Sequence, residues 1–301
     1  EEWELDNLKL NNHKQIETFS GDRGQPHTIE VWPSIATGLR PEEHGINRDN
    51  ASEWSTLLNP FFKIGAKFLS YRMRMKVGSI LESFGFVHDY SLSEVDCETF
   101  MDGERRAVHN WPCVENSDEL KEMWKIFEEE VYTVEELNRL TFGKSAEQFG
   151  WAREMLNYNL ELAAVHIHAL DVLGHSYTTY DEDIGALTNS GEFYEGPGNI
   201  DNLKEAYEKV GRFVKEIENN LDEEDDILIL SDHGMKNSIL DDDDLGKHSF
   251  RAFASTTMDK DLPDSVFEYK EWIEDGLIEV HEDEETVNMP KEQLRELGYI
   301  E

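Results

Sequence analysis

The run Ile227-Leu-Ile-Leu-Ser231 decides the fold class, because it is a short, continuous apolar segment that leads into Asp232-His-Gly. Such a run is typical of a strand that is buried on both faces of a parallel sheet. An amphipathic stretch, Asp201–Leu221, precedes it and predicts a helix. The same order recurs upstream, where a helical stretch leads into a second apolar run, Leu162–Leu170, which ends at Asp171. Helix followed by strand, twice, predicts an α/β fold with a mostly parallel central sheet and helices on both faces.

Length and composition favour one folded domain that extends over residues 1–301. The chain has 38% hydrophobic and 11% aromatic residues, which is enough for a core, and it shows no internal repeat or low-complexity linker. Cys97 and Cys113 are the only cysteines, so no disulfide framework is indicated. Charged residues and histidines interrupt the longest apolar stretches, and we therefore expect no membrane span.

The charge of the chain is strongly negative throughout its length. It has 28 Lys and Arg against 66 Asp and Glu, a formal net charge of -38, and each successive block of about fifty residues is net negative. A nucleic-acid duplex is excluded as a partner, because binding to its phosphates needs a basic surface. Halophilic proteins use this composition, since concentrated salt screens the repulsion. We therefore expect a halophilic, archaeal source and a cytoplasmic protein.

Candidate metal ligands follow both predicted strands. In open α/β sheets, ligands bind beyond the carboxyl ends of the strands. The first strand leads into Asp171 and His175, which are four residues apart, and the second leads into Asp232 and His233, with Gly234 allowing the chain to bend. His248 follows after a loop. Two aspartates and three histidines are donors that suit zinc, with manganese as the alternative, so the sequence predicts a metal site here.

Two further histidines, His166 and His168, lie within the first apolar run. Because they are two residues apart on a predicted strand, their side chains would point to the same face of the sheet. A strand interior faces the covering helices. We therefore interpret both as packed core or edge histidines outside the metal site.

Four ordered motifs give the chain a resemblance to a known family. They are Pro33-Ser-Ile-Ala-Thr-Gly-Leu-Arg-Pro-Glu-Glu-His-Gly-Ile46, Asp171-Val-Leu-Gly-His175, Ser231-Asp-His-Gly-Met235 and the later His248. With these motifs, residues 25–255 resemble the type I phosphodiesterases/nucleotide pyrophosphatases of the alkaline phosphatase superfamily. The resemblance implies an alkaline-phosphatase-like fold and a phosphoric ester hydrolase of the phosphodiesterase type, acting on a small phosphoester.

The resemblance also implies a nucleophile. The family places a Thr or Ser nine residues before the Thr of its Thr-Gly pair, and counting back from Thr37 gives Thr28. Ser34 is the second candidate hydroxyl. His44 and Gly45 correspond to a structural turn of the family, and Thr37 is interpreted as a helix or turn hydrogen-bonder. The implied reaction forms and then hydrolyses a phosphothreonine.

The resemblance further implies two divalent ions, with Zn²⁺ preferred and Mn²⁺ as the alternative. One ion would be held by Asp171, His175 and His248. The other would be held by Asp232, His233, the hydroxyl of Thr28 and an Asp at the end of the family's first strand. Glu1–Leu8 resembles the helix that follows that strand, so Asp6 is not a candidate ligand. Either the strand precedes residue 1, or the enzyme lacks it and holds its second ion weakly.

Three alternatives are weighed on the same scaffold, of which the sulfatase-like one is discounted. A phosphomonoesterase differs from a phosphodiesterase only in residues around the ligands. A sulfatase-like hydrolase needs Cys or Ser in a Cys/Ser-x-Pro-x-Arg context, which neither Cys97 nor Cys113 provides. A non-catalytic metal-binding relative is the alternative from a different functional class.

Overall fold

The computed structural model describes residues 5–21, 24–46, 94–115, 133–178, 199–241 and 245–277. It also describes Trp3, Arg295 and the backbone of short strands at residues 52–53, 91–92, 131–132, 180–181 and 186–188. All the predicted nucleophile and ligand residues fall within these ranges.

The described parts of the chain form both helices and strands. The helices are α1 (Thr28–Thr37), α2 (Pro41–His44), α3 (Val134–Met155), α4 (Ala169–Thr178), α5 (Ile200–Glu218) and α6 (Tyr269–Glu274), with a 3₁₀ turn at Val266–Glu268. The strands are β1 (Asn12–Glu17), β2 (Ser52–Glu53), β3 (Ser91–Leu92), β4 (Arg106–His109), β5 (Val131–Tyr132), β6 (Leu162–Val165), β7 (Tyr180–Asp181), β8 (Ala186–Thr188), β9 (Leu228–Leu230), β10 (Gly234–Met235), β11 (His248–Ser249) and β12 (Arg251–Thr256). No helix in the described residues combines the length and apolar character that crossing a membrane requires.

Side-chain caps fix where the two longest helices begin. The Thr133 hydroxyl accepts a hydrogen bond from the Glu136 N–H at 3.2 Å, and the Glu136 carboxylate accepts one from the Thr133 N–H at 3.1 Å. This reciprocal pair starts α3. The Asn199 side chain accepts from the Asn202 N–H at 3.0 Å and starts α5. Helix α5 therefore covers nearly the stretch that the apolar period predicted.

The sheet that contains β9 has apolar clusters on both faces. Its strand order is β1-β12-β9. Leu228 and Leu230 pack against the cluster built with α1 and α6, whereas Ile229 packs against the cluster built with α3 and α5. Successive side chains of a strand point to opposite faces, so helices cover both sides of this sheet. The predicted α/β layering is confirmed in the described residues.

The pairing within this sheet differs from the prediction. Strand β12 pairs antiparallel with both β1 and β9, so the one described neighbour of β9 is antiparallel and not parallel. A parallel neighbour needs a crossover of a dozen or more residues, usually a helix. The segment between β9 and β12 instead contains the short antiparallel pair β10–β11, and the chain returns directly. Among the described strands, β4 and β6 pair in parallel, but a mostly parallel central sheet is not seen.

The first apolar run is also divided differently. The prediction of a strand through Leu162–Leu170 is wrong, because β6 ends at Val165 and α4 begins at Ala169. The helix buries Ala169, Val172, Leu173 and Tyr177, which recur at helical spacing. The run therefore contains the end of a strand and the first turn of a helix.

The start of the chain forms a turn where a helix was expected. The Leu8 N–H donates to the Leu5 carbonyl at 3.0 Å, and the Lys9 N–H donates to the Asp6 carbonyl at 3.2 Å. These bonds span three residues, as in turns, and the described part of residues 1–8 does not form an α-helix. Asp6 contributes to this turn.

Candidate metal centre

Helix α1 places Thr28 at its N-terminus. His27, directly before the helix, has extended backbone angles, and Thr28 is the first helical residue. The side chain of Thr28 is buried, with the residue 6% exposed. Its Oγ1 lies 3.3 Å from the Nε2 atom of His233. The predicted nucleophile therefore touches a predicted metal ligand that lies 205 positions away in the sequence.

Helix α4 supplies Asp171 and His175. Residues four apart lie on the same face of a helix, and here the Asp171 Oδ1 is 3.4 Å from the His175 Nε2. The aspartate is in the first turn of the helix and the histidine in the last. The spacing seen in the sequence therefore produces a pair of donors.

The antiparallel pair β10–β11 brings His233 and His248 together. Gly234 pairs with Ser249, and Met235 pairs with His248. The two imidazole rings stack with centroids 3.6 Å apart. Gly234 is required for a close approach of the backbone, because a Cβ atom there would lie 2.6 Å from the Arg251 carbonyl oxygen.

Asp171 is the centre of the group. Its Oδ1 lies 3.4 Å from the Nε2 of His175, 3.4 Å from that of His248 and 3.8 Å from that of His233. The Asp232 Oδ2 lies 3.3 Å from the His233 Nε2. Two adjacent donor sets result: Asp171, His175 and His248 form one, and Asp232, His233 and Thr28 form the other. The first set has its donor atoms within 4.8 Å of one another.

The three histidines share one tautomer. In each ring the Nδ1 atom faces a backbone carbonyl oxygen. The partners are Gly246 for His175 at 2.7 Å, Pro26 for His248 at 2.8 Å and Gly234 for His233 at 3.1 Å. A carbonyl can only accept a hydrogen bond, so each Nδ1 carries a proton and each Nε2 presents a lone pair to the centre. This arrangement is typical of histidines that bind metals.

These donors fit a divalent metal ion. The Asp171 Oδ1 and the Asp232 Oδ2 are buried and have no hydrogen-bond partner. Moreover, the Nε2 atoms of His175 and His248 approach to 2.9 Å. Lone pairs that point at one another in a buried site repel unless a positive charge lies between them. Mixed imidazole and carboxylate donors suit zinc, and the side chains that would hold it are those of the two donor sets.

The electrostatics of the pocket also favour a cation. Burial would raise the pKa of Asp171, but the imidazoles of His175, His168 and His248 hold it well below its usual value. Burial lowers the pKa of His175 to about 4, so this ring is neutral. Burial also opposes charge on His248, yet the Asp171 carboxylate raises its pKa above the usual value. The pocket therefore sets the ionised Asp171 carboxylate beside the neutral His175 ring, and the raised pKa of His248 shows that it favours positive charge.

Ser34, the second candidate nucleophile, is engaged in a structural network. It is fully buried, and its hydroxyl donates to the Glu30 carbonyl at 2.9 Å. The Ile46 N–H donates to the His44 Nδ1, so the proton of this ring is on Nε2 and is donated to the Ser34 hydroxyl at 3.0 Å. Burial lowers the pKa of His44, which keeps the ring neutral. Ser34 and His44 thus join α1 to the turn after α2.

Thr37 likewise serves the backbone. Its hydroxyl donates to the Pro33 carbonyl at 2.8 Å and accepts a hydrogen bond from the Leu39 N–H at 3.1 Å. Both contacts lie at the end of α1, where Gly38 adopts a left-handed conformation with φ of 70°. The motif that contains Thr37 therefore shapes the exit from α1.

Neither cysteine is placed for sulfatase-like chemistry. Cys113 is fully buried with Ile29 and Ile46, and burial raises the pKa of its thiol to about 12. Burial also raises the pKa of Cys97. A reactive cysteine needs a lowered pKa and access to solvent. Burial therefore disfavours the reactive thiolate at both positions.

Sequence reasoning missed the role of His168. Its Nε2 lies 2.8 Å from the Asp171 Oδ2, and the residue is 3% exposed. We interpreted it as a core histidine because we expected the strand to continue through it. Once α4 begins at Ala169, His168 and Asp171 are three residues apart at the start of a helix, where their side chains meet. His166, by contrast, is a buried histidine packed edge-on against Trp32.

Replacement of a ligand in the first donor set should release its ion. In His175→Ala, two donors remain, and we expect the zinc content after desalting to fall by about one equivalent per chain. Elemental analysis of the purified protein measures this directly. His13→Ala is the matched control, because His13 lies on the exposed side of β1 and should keep the full content. Equal zinc contents in both variants would exclude His175 as a ligand.

The comparison with protein families agrees with this site. The family model for type I phosphodiesterase / nucleotide pyrophosphatase matches residues 25–248 of the 301-residue chain. Searches of curated proteins and of solved structures gave no match. The matched region includes Thr28, both aspartates and all three histidines of the two donor sets. Members of the family are typically metal-dependent, and their fold is alkaline-phosphatase-like α/β. The chain belongs to the type I phosphodiesterase / nucleotide pyrophosphatase family and is a phosphodiester hydrolase.

Proposed function

We propose that the protein is a metal-dependent phosphodiesterase in which Thr28 is the nucleophile. The observation that carries this proposal is the contact between the Thr28 Oγ1 and the His233 Nε2 at 3.3 Å. The same Nε2 lies 3.8 Å from the Asp171 Oδ1, which has no hydrogen-bond partner. A buried hydroxyl at this position has no evident structural purpose, unlike those of Ser34 and Thr37. It instead borders the donors that suit a metal ion.

The two donor sets have separate parts in this proposal. Asp171, His175 and His248 hold one ion, and Asp232, His233 and the Thr28 hydroxyl hold the other. Divalent ions bound there, zinc in preference to manganese, supply positive charge that favours ionisation of a hydroxyl and offsets the charge on phosphoryl oxygens. The carbonyls of Gly246, Pro26 and Gly234 keep the imidazoles in the required tautomer.

Thr28 forms the covalent intermediate. Its hydroxyl loses a proton, Oγ1 forms a bond to phosphorus, and the bond from phosphorus to the leaving alcohol breaks. The departing alcohol takes up a proton from solvent, which balances the one lost by Thr28. The oxygen of a water molecule then bonds to phosphorus, the bond from phosphorus to Oγ1 breaks, a proton of the water restores the hydroxyl, and a phosphate monoester leaves. Thr28 is the first residue of α1, and the positive end of a helix, where backbone N–H groups lack intrahelical partners, favours a bound phosphate.

The composition suggests the conditions under which this chemistry takes place. We propose a small phosphoester as substrate and concentrated salt as the working medium, because a protein of charge -38 repels anions in dilute buffer. A halophilic archaeon would supply that medium in its cytoplasm. Screening lets an anionic substrate approach, and the metal centre then attracts it at short range.

Hydrolysis of two model substrates tests the proposed function. Protein treated with a chelator and then supplied with Zn²⁺ or Mn²⁺ in molar KCl should hydrolyse bis(p-nitrophenyl) phosphate faster than p-nitrophenyl phosphate. The chelated protein should hydrolyse neither. A faster reaction with the monoester would indicate a phosphomonoesterase. Bound metal without hydrolysis of either ester would indicate a non-catalytic relative.

A further inference from the structure

His168 lies at the junction between β6 and α4. The Val172 N–H donates to the His168 carbonyl at 3.1 Å, so His168 immediately precedes the first residue of the helix. Its ring is buried beside that of His166, with centroids 5.3 Å apart. Burial of the ring and the start of the helix together leave His168 little freedom to move.

The contact of His168 with Asp171 is directional. The distance from Nε2 to Oδ2 is 2.8 Å, and the side chains are 4% and 17% exposed. An ionised carboxylate only accepts hydrogen bonds, so Nε2 carries the proton and donates it. A charge-assisted bond of this kind is stronger than a bond between neutral groups.

This bond makes the two oxygens of Asp171 unequal. Oδ2 is occupied by His168, whereas Oδ1 faces His175, His233 and His248 and has no hydrogen-bond partner. Without a donor at position 168, Oδ2 would lose its hydrogen bond in a side chain that is only 17% exposed. The carboxylate could then rotate about its terminal torsion, which is soft, and offer either oxygen to the centre.

We propose that His168 is a positioning residue that orients Asp171, so that Oδ1 alone is presented to a metal ion shared with His175 and His248. The inference rests on the metal-dependent function proposed above. The Nε2–H of His168 orients the Asp171 carboxylate by its hydrogen bond, and packing of the ring without that hydrogen bond would not orient it. Partners of this type outside the ligand shell typically contribute 10–100-fold to metal affinity.

The affinity for Zn²⁺ alone tests the proposal, measured in molar KCl by competition with a chromophoric chelator. His168→Leu fills a similar volume without a donor and should weaken zinc binding by about 10–100-fold. His168→Gln can place its amide N–H near the position of Nε2 and should stay within about threefold of the wild type. The side chain in His168→Asn is too short to reach the Asp171 Oδ2, so this variant should bind zinc as weakly as the leucine variant. It takes the place of His168→Leu in the comparison if the leucine variant does not fold.

His166→Gln is the matched control. It changes a buried histidine two positions away that packs against Trp32, and its zinc affinity should equal that of the wild type. Wild-type affinity in the folded leucine or asparagine variant would overturn the inference, as would equal losses in the glutamine and leucine variants. Absence of zinc binding by the wild type would overturn both this inference and the proposed function. If the wild type binds zinc normally and the folded His168→Leu variant binds it equally well, this inference alone is overturned and the proposed function is not.

Discussion

Replacement of Thr28 by alanine should lower the rate of phosphodiester hydrolysis by about 10³-fold or more, because the variant has no atom that can form the covalent intermediate. Thr28→Ser keeps a hydroxyl at the start of α1 and should retain measurable activity. The zinc equivalent held by Asp171, His175 and His248 should remain in both variants, since these three residues are untouched. Steady-state kinetics and elemental analysis on the same preparations measure the two effects.

Ser34→Ala is the matched control for this experiment. It removes a hydroxyl from the same helix, six residues away, and leaves the His44 N–H without an acceptor. We expect a loss of stability of about 1–3 kcal/mol and activity within a few-fold of the wild type. Full activity of Thr28→Ala, or a large loss of activity only in Ser34→Ala, would refute the assignment of the nucleophile.

Stability should depend strongly on salt. The chain carries a net charge of -38, and the turn between α5 and β9 alone contains a run of exposed carboxylates, Asp222, Glu223, Glu224, Asp225 and Asp226. The Debye length falls from about 10 Å at 0.1 M salt to about 3 Å at 1 M, which limits repulsion to near neighbours. Between dilute buffer and molar KCl we expect the unfolding midpoint to rise by about 10 °C or more, equivalent to roughly 6 kcal/mol for a chain of this size.

Thermal melts at a series of KCl concentrations measure this dependence, and sucrose of equal osmolality is the control. Sucrose strengthens apolar burial without screening charge, so it should reproduce only a small part of the rise. The variant Glu223→Gln/Glu224→Gln removes two exposed charges from the run and should reach the same midpoint at lower salt. An unfolding midpoint that is flat across the KCl series would show that long-range repulsion does not govern stability.

The order of elements and the identity of the clustered side chains could be predicted from the sequence. Asp171 and His175 are four residues apart, which brings them together on a helix, although we had expected a strand to end at the aspartate. Asp232 and His233 follow the strand that the apolar run Ile227–Ser231 predicted. Local spacing was therefore sufficient to indicate these pairs of donors.

The direction of pairing and the exact ends of elements could not be predicted. A continuous apolar run reports burial on both faces, which β9 confirms through Leu228 and Ile229, but it does not report which strand lies alongside. The spacing of apolar residues within Leu162–Leu170 also does not show where the strand ends and where the helix begins. That error hid His168, because its contact with Asp171 exists only when α4 begins at Ala169.

The distances along the chain between the clustered side chains have a consequence for folding. Thr28 and His233 are 205 positions apart, and His175 and His248 are 73 apart. An ion held by such residues closes long loops, as a disulfide does, and an unfolded chain cannot offer the same set of donors. At about 100 times its Kd, the ion would add about 2.7 kcal/mol to the free energy of unfolding. In a chain without a disulfide framework, the proposed metal centre would then also be a removable cross-link between distant parts of the sequence.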